Sequence, residues 1–196
     1  MIQIGATRVK HVTDALRWKF LMTDACTYQS FMLDHVAGNL GKGMHVAATI
    51  HTLMSREGKE ARQVWQSVKR ALQTDTKSVK QDPAQDFLEE ALKILDTDYD
   101  DVKWRRGLSG MKYSKVSEAG GKLMRLSPGD RVFEHGHSAL EAMVVLEGCL
   151  KDGRGHYDAG ELVLATPSVR HRPEAARNGA CTCFVAQSDI PFWRLT

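Results

Sequence analysis

Between Gly129 and Gly148 the chain reads GDRVFEHGHSALEAMVVLEG, and no other stretch restricts the fold as strongly. A single glycine separates His135 from His137. Glu141 follows, and an apolar run from Ala142 to Leu146 leads towards Gly148. Alternate residues of an extended strand face the same side, so positions 135, 137 and 141 share parity. A strand in unbroken register would send two imidazoles and a carboxylate to one side. That donor set suits a borderline-hard divalent metal ion. A further ligand must come from elsewhere, and His171, one turn and one strand later, is the candidate. The alternative for this spacing is solvated loop histidines beside a surface carboxylate. The strand-like flanks and the apolar run after Glu141 weigh against it.

A chain of 196 residues accommodates one large domain or two small ones. Its apolar content of 42% is that of a globular protein. A net charge of +3 is too small to argue for direct nucleic-acid binding. No apolar run approaches membrane-spanning length, and the opening MIQIGATRVK lacks the apolar core of a signal peptide. A cytoplasmic location is therefore expected. In that compartment Cys26, Cys149, Cys181 and Cys183 are not read as structural disulfides.

The pattern divides the chain into four parts. Residues 1–25 form an N-terminal extension whose apolar positions 9, 12, 15, 16 and 20 have helical spacing. Residues 26–76 read as a small helical bundle. YQSFMLDHVAG, GMHVAATIHTLMS and EARQVWQSVKRAL each carry an apolar face, with breaks at Gly38–Gly41 and Ser55–Gly58. In the third segment Ala61, Val64, Trp65, Val68 and Leu72 form one stripe. A core this thin calls for a metal ion or for a partner over the apolar face. Residues 77–99 are a linker with one short helix, FLEEALKIL, able to dock on either neighbour. From 100 to 196 short strand-like pieces alternate with turns such as SPGD, KDGRG and YDAGE. The expected class is α+β: a helical bundle followed by an antiparallel β-barrel of jelly-roll type.

The spacing from Gly129 through His135, His137 and Glu141 to Gly148 matches the first cupin motif without a departure. Gly160 to His171 resembles the second, with Pro167 present, Ser168-Val169 in place of the internal glycine, and the histidine one residue early. The order of bundle, linker and cupin, together with DVKWRRG, SVRHRP and CTCFVAQSDIPFWRL, resembles the ChrR family of anti-sigma factors over residues 26–196. The resemblance implies a zinc site at His135, His137, Glu141 and His171, and a Cys-x-Cys tail at Cys181 and Cys183. It also implies an N-terminal zinc site with ligands at Cys26 and His51. Its two remaining cysteine positions hold Ser55 and Gly58 here. Tetrahedral structural sites want four ligands, so Cys26 and His51 read as a free thiol and a helix histidine.

Two functions follow. In the first, the helical domain sequesters an extracytoplasmic-function sigma factor, and the metal-bound cupin senses an oxidant or reactive small molecule. Alternate positions on a strand place the sulfurs of Cys181 and Cys183 close together, and a disulfide between such neighbours would be strained and labile. The alternative for that pair is wall packing. In the second, the cupin is a metalloenzyme of dioxygenase or isomerase type with a helical oligomerisation domain, a homodimer being compatible. One divalent ion is expected, zinc first, with iron, manganese and nickel accepting the same ligands. No second acid–base set flanks the motif. Glu134 has the wrong parity, His156 falls on a turn, and Cys149 reads as packing.

Overall fold

A computed structural model describes residues 25–73 and 87–188. The helical spacing expected in the N-terminal extension, most of the linker and the final PFWRLT lie outside the described residues.

Among the described residues, four helices precede the strands. They are α1 (25–37), α2 (Lys42–Met54), α3 (Arg56–Leu72) and α4 (Leu88–Leu95). The break between α2 and α3 is shorter than Ser55–Gly58. Ser55 alone is extended, and its hydroxyl accepts from the Gly58 amide at 2.9 Å, capping α3. α2 is the central helix, buried along most of its length from Gly43 to Thr52. Its His45 stacks on Phe87, with ring centroids 4.7 Å apart, and lies Nδ1 to Nδ1 3.0 Å from His35 of α1. α4 docks on α2: Ala91 and Ile94 are buried, and Glu90 pairs with Lys42 at 2.9 Å. On α3 only Gly58 and Ala61 are buried, while Val64, Val68 and Leu72 face outward.

Nine strands follow among the described residues: β1 (Arg105–Arg106), β2 (Lys112–Val116), β3 (Gly121–Leu126), β4 (Glu141–Glu147), β5 (Cys149–Lys151), β6 (His156–Asp158), β7 (Leu162–Ala165), β8 (Glu174–Ala175) and β9 (Cys181–Gln187). All pairings are antiparallel. One sheet has the order β1-β2-β3-β9-β4-β7 and the other β6-β5-β8. The two sheets make a cupin-type jelly roll rather than a closed barrel. Single bridges, Arg131–Glu174 and His135–His171, tie the intervening segments together.

Strand alternation divides the buried residues of the larger sheet between two cores. Met143 and Val145 of β4, with Cys181, Cys183 and Val185 of β9, point between the sheets toward Leu126, Leu150 and Val163. Ala142, Val144, Leu146, Phe184 and Ala186 point the other way and share one apolar cluster with Phe31, Met44, Ala47 and Ile50 of the helices. The sheet is thus covered on both faces, which is why Ala142 to Leu146 reads as a continuous apolar run instead of an alternating one. At Gly160 the end of α2 packs closely on a turn. The glycine's φ is +91°, and a Cβ there would lie 3.0 Å from Met54 Cβ. Gly148, at φ +75°, turns β4 into β5 directly against the Ala180 carbonyl, where no side chain fits.

Candidate metal centre

The stretch from His135 to Glu141 is not one strand. His135 forms a bridge, residues 136–140 leave the ladder, and β4 begins at Glu141. The shared-parity expectation therefore fails in its mechanism, although the three side chains still meet. The bend swings His137 back over the start of β4. Glu141 keeps the parity of Met143 and Val145 and so points between the sheets. His171 arrives by pairing: its amide and carbonyl both bond to those of His135, each at 3.0 Å.

The four donors converge. His137 Nε2 lies 2.9 Å from His171 Nε2 and 3.3 Å from Glu141 Oε1, which is 3.6 Å from His171 Nε2. The His135 ring centroid is 4.7 Å from those of both other histidines. One donor atom from each of the four residues falls within 4.8 Å of all the others. Tetrahedral donors at bonds of about 2.0–2.1 Å lie about 3.4 Å apart. The set therefore needs little contraction to hold an ion, and the cluster can bind a divalent metal.

Electrostatics favour the neutral form of His137. Burial first, then the neighbouring His171, His135 and Lys122, pull His137 down to about 4, so its imidazole is neutral near pH 7. Burial raises Glu141, against the opposing pull of His171 and Lys122. A cation among these groups would offset the cost of burying that carboxylate. The surroundings of the outer ring nitrogens differ. The Phe133 carbonyl lies 2.8 Å from His135 Nδ1, so Nδ1 carries the proton and Nε2 is free to ligate. The Gln187 amide Nε2 lies 3.2 Å from His137 Nδ1 and donates to Glu141 Oε2 at 3.3 Å. His171 Nδ1 is buried without a hydrogen bond, 3.9 Å from Asp152 Oδ2. Burial opposes ionisation of Asp152, but His171 and Arg154 outweigh it and hold the carboxyl at about 2.

Sequence reasoning misses Gln187 and Asp152. Gln187 shares parity with Cys181 and Cys183 on β9, a signal that the chain does carry. Asp152 sits in KDGRG, which reads simply as a turn. Glu134 pairs with Arg170 at the surface. His156 opens β6 rather than lying on a turn, and is exposed. Cys149 is partly buried, its thiol 3.8 Å from the Leu150 carbonyl.

The thiols of Cys181 and Cys183 lie 3.6 Å apart, both buried between the sheets. The hydrogen bond that the Cys183 thiol gives to Cys181, then burial, push that thiol well above its ordinary value.

The positions corresponding to the N-terminal zinc site form a hydrogen-bonded contact in which Cys26 is exposed. His51 Nδ1 is 2.7 Å from the Gly160 carbonyl and therefore donates to it. Its Nε2 then accepts from the Tyr28 hydroxyl at 3.0 Å. Ser55 Oγ is 3.2 Å from Nδ1, and Gly58 lies against the ring. Burial lowers the pKa of His51, keeping it neutral. Among the described residues His51 and Cys26 join no cluster of three or more possible ligands.

Comparison with known proteins places this architecture. The anti-sigma-E factor ChrR of Cereibacter sphaeroides is 33% identical over 95 residues, 47% of this chain and 44% of that protein. The match thus spans less than half of that relative's length. A chain in the crystal structure of Rhodobacter sphaeroides SigE in complex with the anti-sigma ChrR superposes with a TM-score of 0.66 at 22% identity. That match covers 82% of this chain and 96% of that one, and so extends into the helices. The model of the ChrR cupin-like domain matches residues 94–191, half of the chain, and the chain therefore belongs to the ChrR cupin-like family.

Proposed function

We propose that this chain is a metal-dependent anti-sigma regulator. Its helical layer binds an extracytoplasmic-function sigma factor, and its cupin holds one zinc ion at His135, His137, Glu141 and His171. The observation that carries the reading is the shared arrangement of helices on cupin, which follows almost the full length of a chain from a sigma–anti-sigma complex. The exposed stripe on α3 supports it. Val64 and Leu72 are 58% and 80% exposed, and with Val68 they repeat every four residues along one helix face. A stripe left uncovered by the other described residues suits a partner protein. Among the described residues no helix is long and apolar enough to cross a membrane, which fits the cytoplasmic site of such a partner.

Cys181 and Cys183 supply the oxidant response. With hydrogen peroxide, two thiols give one disulfide and two waters, the electrons passing from sulfur to peroxide oxygen. Their burial and the raised Cys183 pKa disfavour the thiolate. Oxidation therefore waits on a transient opening of the sheets, and the strain of the disulfide so formed then loosens the zinc site between them. The reading is of a regulator, not an enzyme.

Two-hybrid screening of the full chain against each extracytoplasmic-function sigma factor of its own genome, followed by co-purification, tests it. One sigma factor should be retained in a stoichiometric complex. The purified chain should carry about one zinc that leaves after mild peroxide treatment. Retention of none of these sigma factors, with a single iron or manganese ion unmoved by peroxide, would overturn the reading in favour of a cupin metalloenzyme.

A further inference from the structure

The geometry points to Asp152 as the positioning residue of His171, the group that holds His171 with Nδ1 protonated so that Nε2 faces the metal centre. This inference rests on the metal-centre reading above. Its starting point is an asymmetry among the three histidines. The outer nitrogen of His135 has the Phe133 carbonyl at 2.8 Å, and that of His137 has Gln187 at 3.2 Å. His171 is the most deeply buried of the three, and its Nδ1 makes no hydrogen bond. A buried N–H left unpaired is costly, and Asp152 Oδ2 lies 3.9 Å from it. A shift of about 1 Å would bring the pair into hydrogen-bond range.

Asp152 is built to wait there. Its side chain is fully buried, and its two oxygens divide their work. Oδ1 accepts from the amides of Arg154 at 2.9 Å and Gly155 at 3.3 Å, closing the turn after β5. Oδ2 accepts from Arg154 Nε at 2.9 Å and Nη2 at 2.7 Å. Arg154 is itself anchored, donating from Nη1 to the Leu164 carbonyl at 3.0 Å on β7. The guanidinium compensates the buried charge from one side and leaves Oδ2 facing His171 on the other. A carboxylate in that position fixes the tautomer of a ligating imidazole and raises its basicity. A turn needs only Oδ1. The buried Oδ2–Arg154 pair beside an unpaired histidine nitrogen is what turn formation leaves unexplained.

Asp152→Asn separates the two roles. The amide oxygen can still close the turn, while the NH2 group would face Arg154 and His171 with donors where both need an acceptor. Zinc affinity, measured on the full chain by chelator competition, should fall about 10–100-fold. In histidine-labelled, zinc-loaded wild type, NMR should show the His171 Nδ1 proton protected from solvent exchange, and in the variant that resonance should be lost. An affinity within about twofold of wild type, with the resonance retained, would overturn the inference, and so would a variant that lost only thermal stability. If the variant does not fold, the wild type decides alone. A protected Nδ1 proton supports the assignment, and a metal-bound or freely exchanging Nδ1 refutes it. Wild type that binds no zinc would instead refute the metal centre and this inference with it.

Discussion

Gly58 shows how far tertiary packing can reverse a local rule. It is the third residue of α3, where alanine should gain at most about 1 kcal/mol over glycine in helix propensity. The structure predicts the opposite sign. A Cβ at this position would lie 2.7 Å from both the Cδ2 atom and the carbonyl oxygen of His51, and 2.9 Å from its carbonyl carbon. None of these atoms yields easily. The carbonyl accepts from the Ser55 amide at 2.9 Å, and the ring is held at both nitrogens by Tyr28 and Gly160. Relief requires moving α3 off α2 and breaking a buried hydrogen bond. Overpacking costs about 1–3 kcal/mol and a lost hydrogen bond about 1 kcal/mol. Against the propensity gain, Gly58→Ala should destabilise by about 1–3 kcal/mol net. At about 2–4 °C per kcal/mol for a protein of this size, the midpoint should fall by several degrees. Equilibrium urea unfolding and calorimetry read this directly. An unchanged or raised midpoint would refute the reasoning, because it would mean that the His51 contact is soft. Gly58→Cys meets the same atoms, so by itself it should cost at least as much and add no metal to the stoichiometry.

His137→Ala should strip the cupin metal, read by elemental analysis, while far-UV circular dichroism keeps its helical signal, since the helices pack on the opposite face of the larger sheet. Metal retained in full would sink the site assignment. In metal-free protein, a His137 pKa of about 4 in the fold, against an ordinary value near 6.5, means that the unfolded chain binds more protons between those limits. Wild type should therefore lose stability relative to His137→Asn as pH falls from about 6.5 to about 4, and parallel pH profiles would contradict this. Val68→Asp on the exposed face of α3 should leave the unfolding midpoint within about 0.5 kcal/mol of wild type and abolish sigma-factor retention; undiminished retention would move the docking surface elsewhere. Cys183→Ser should keep zinc binding but prevent peroxide-driven zinc release, measured with a chromogenic chelator, and release at the wild-type rate would remove the thiol pair from the mechanism.

Local chemistry is legible in the order of residues alone. His135, His137 and Glu141 lie within seven consecutive residues, so their association depends on one short segment, and the apolar run that follows announces a strand buried on both faces. The helices of residues 26–76 are equally readable from their spacing. Relations between distant segments belong to the tertiary structure. His171 reaches the cluster because its backbone pairs with His135, and pairing register is a property of two strands together. Asp152 and Gln187 carry no motif; they stand beside the histidines only because β5 and β9 happen to pass there. The stripe of Val64, Val68 and Leu72 looks like a core face in sequence, yet lies at the surface because α2, not α3, covers the larger sheet. His51 and Gly160, 109 positions apart, hold helix to cupin where the resemblance points to metal ligands. Periodicity and spacing are written along the chain. The choice of which face meets which is made by packing among segments that no local pattern records.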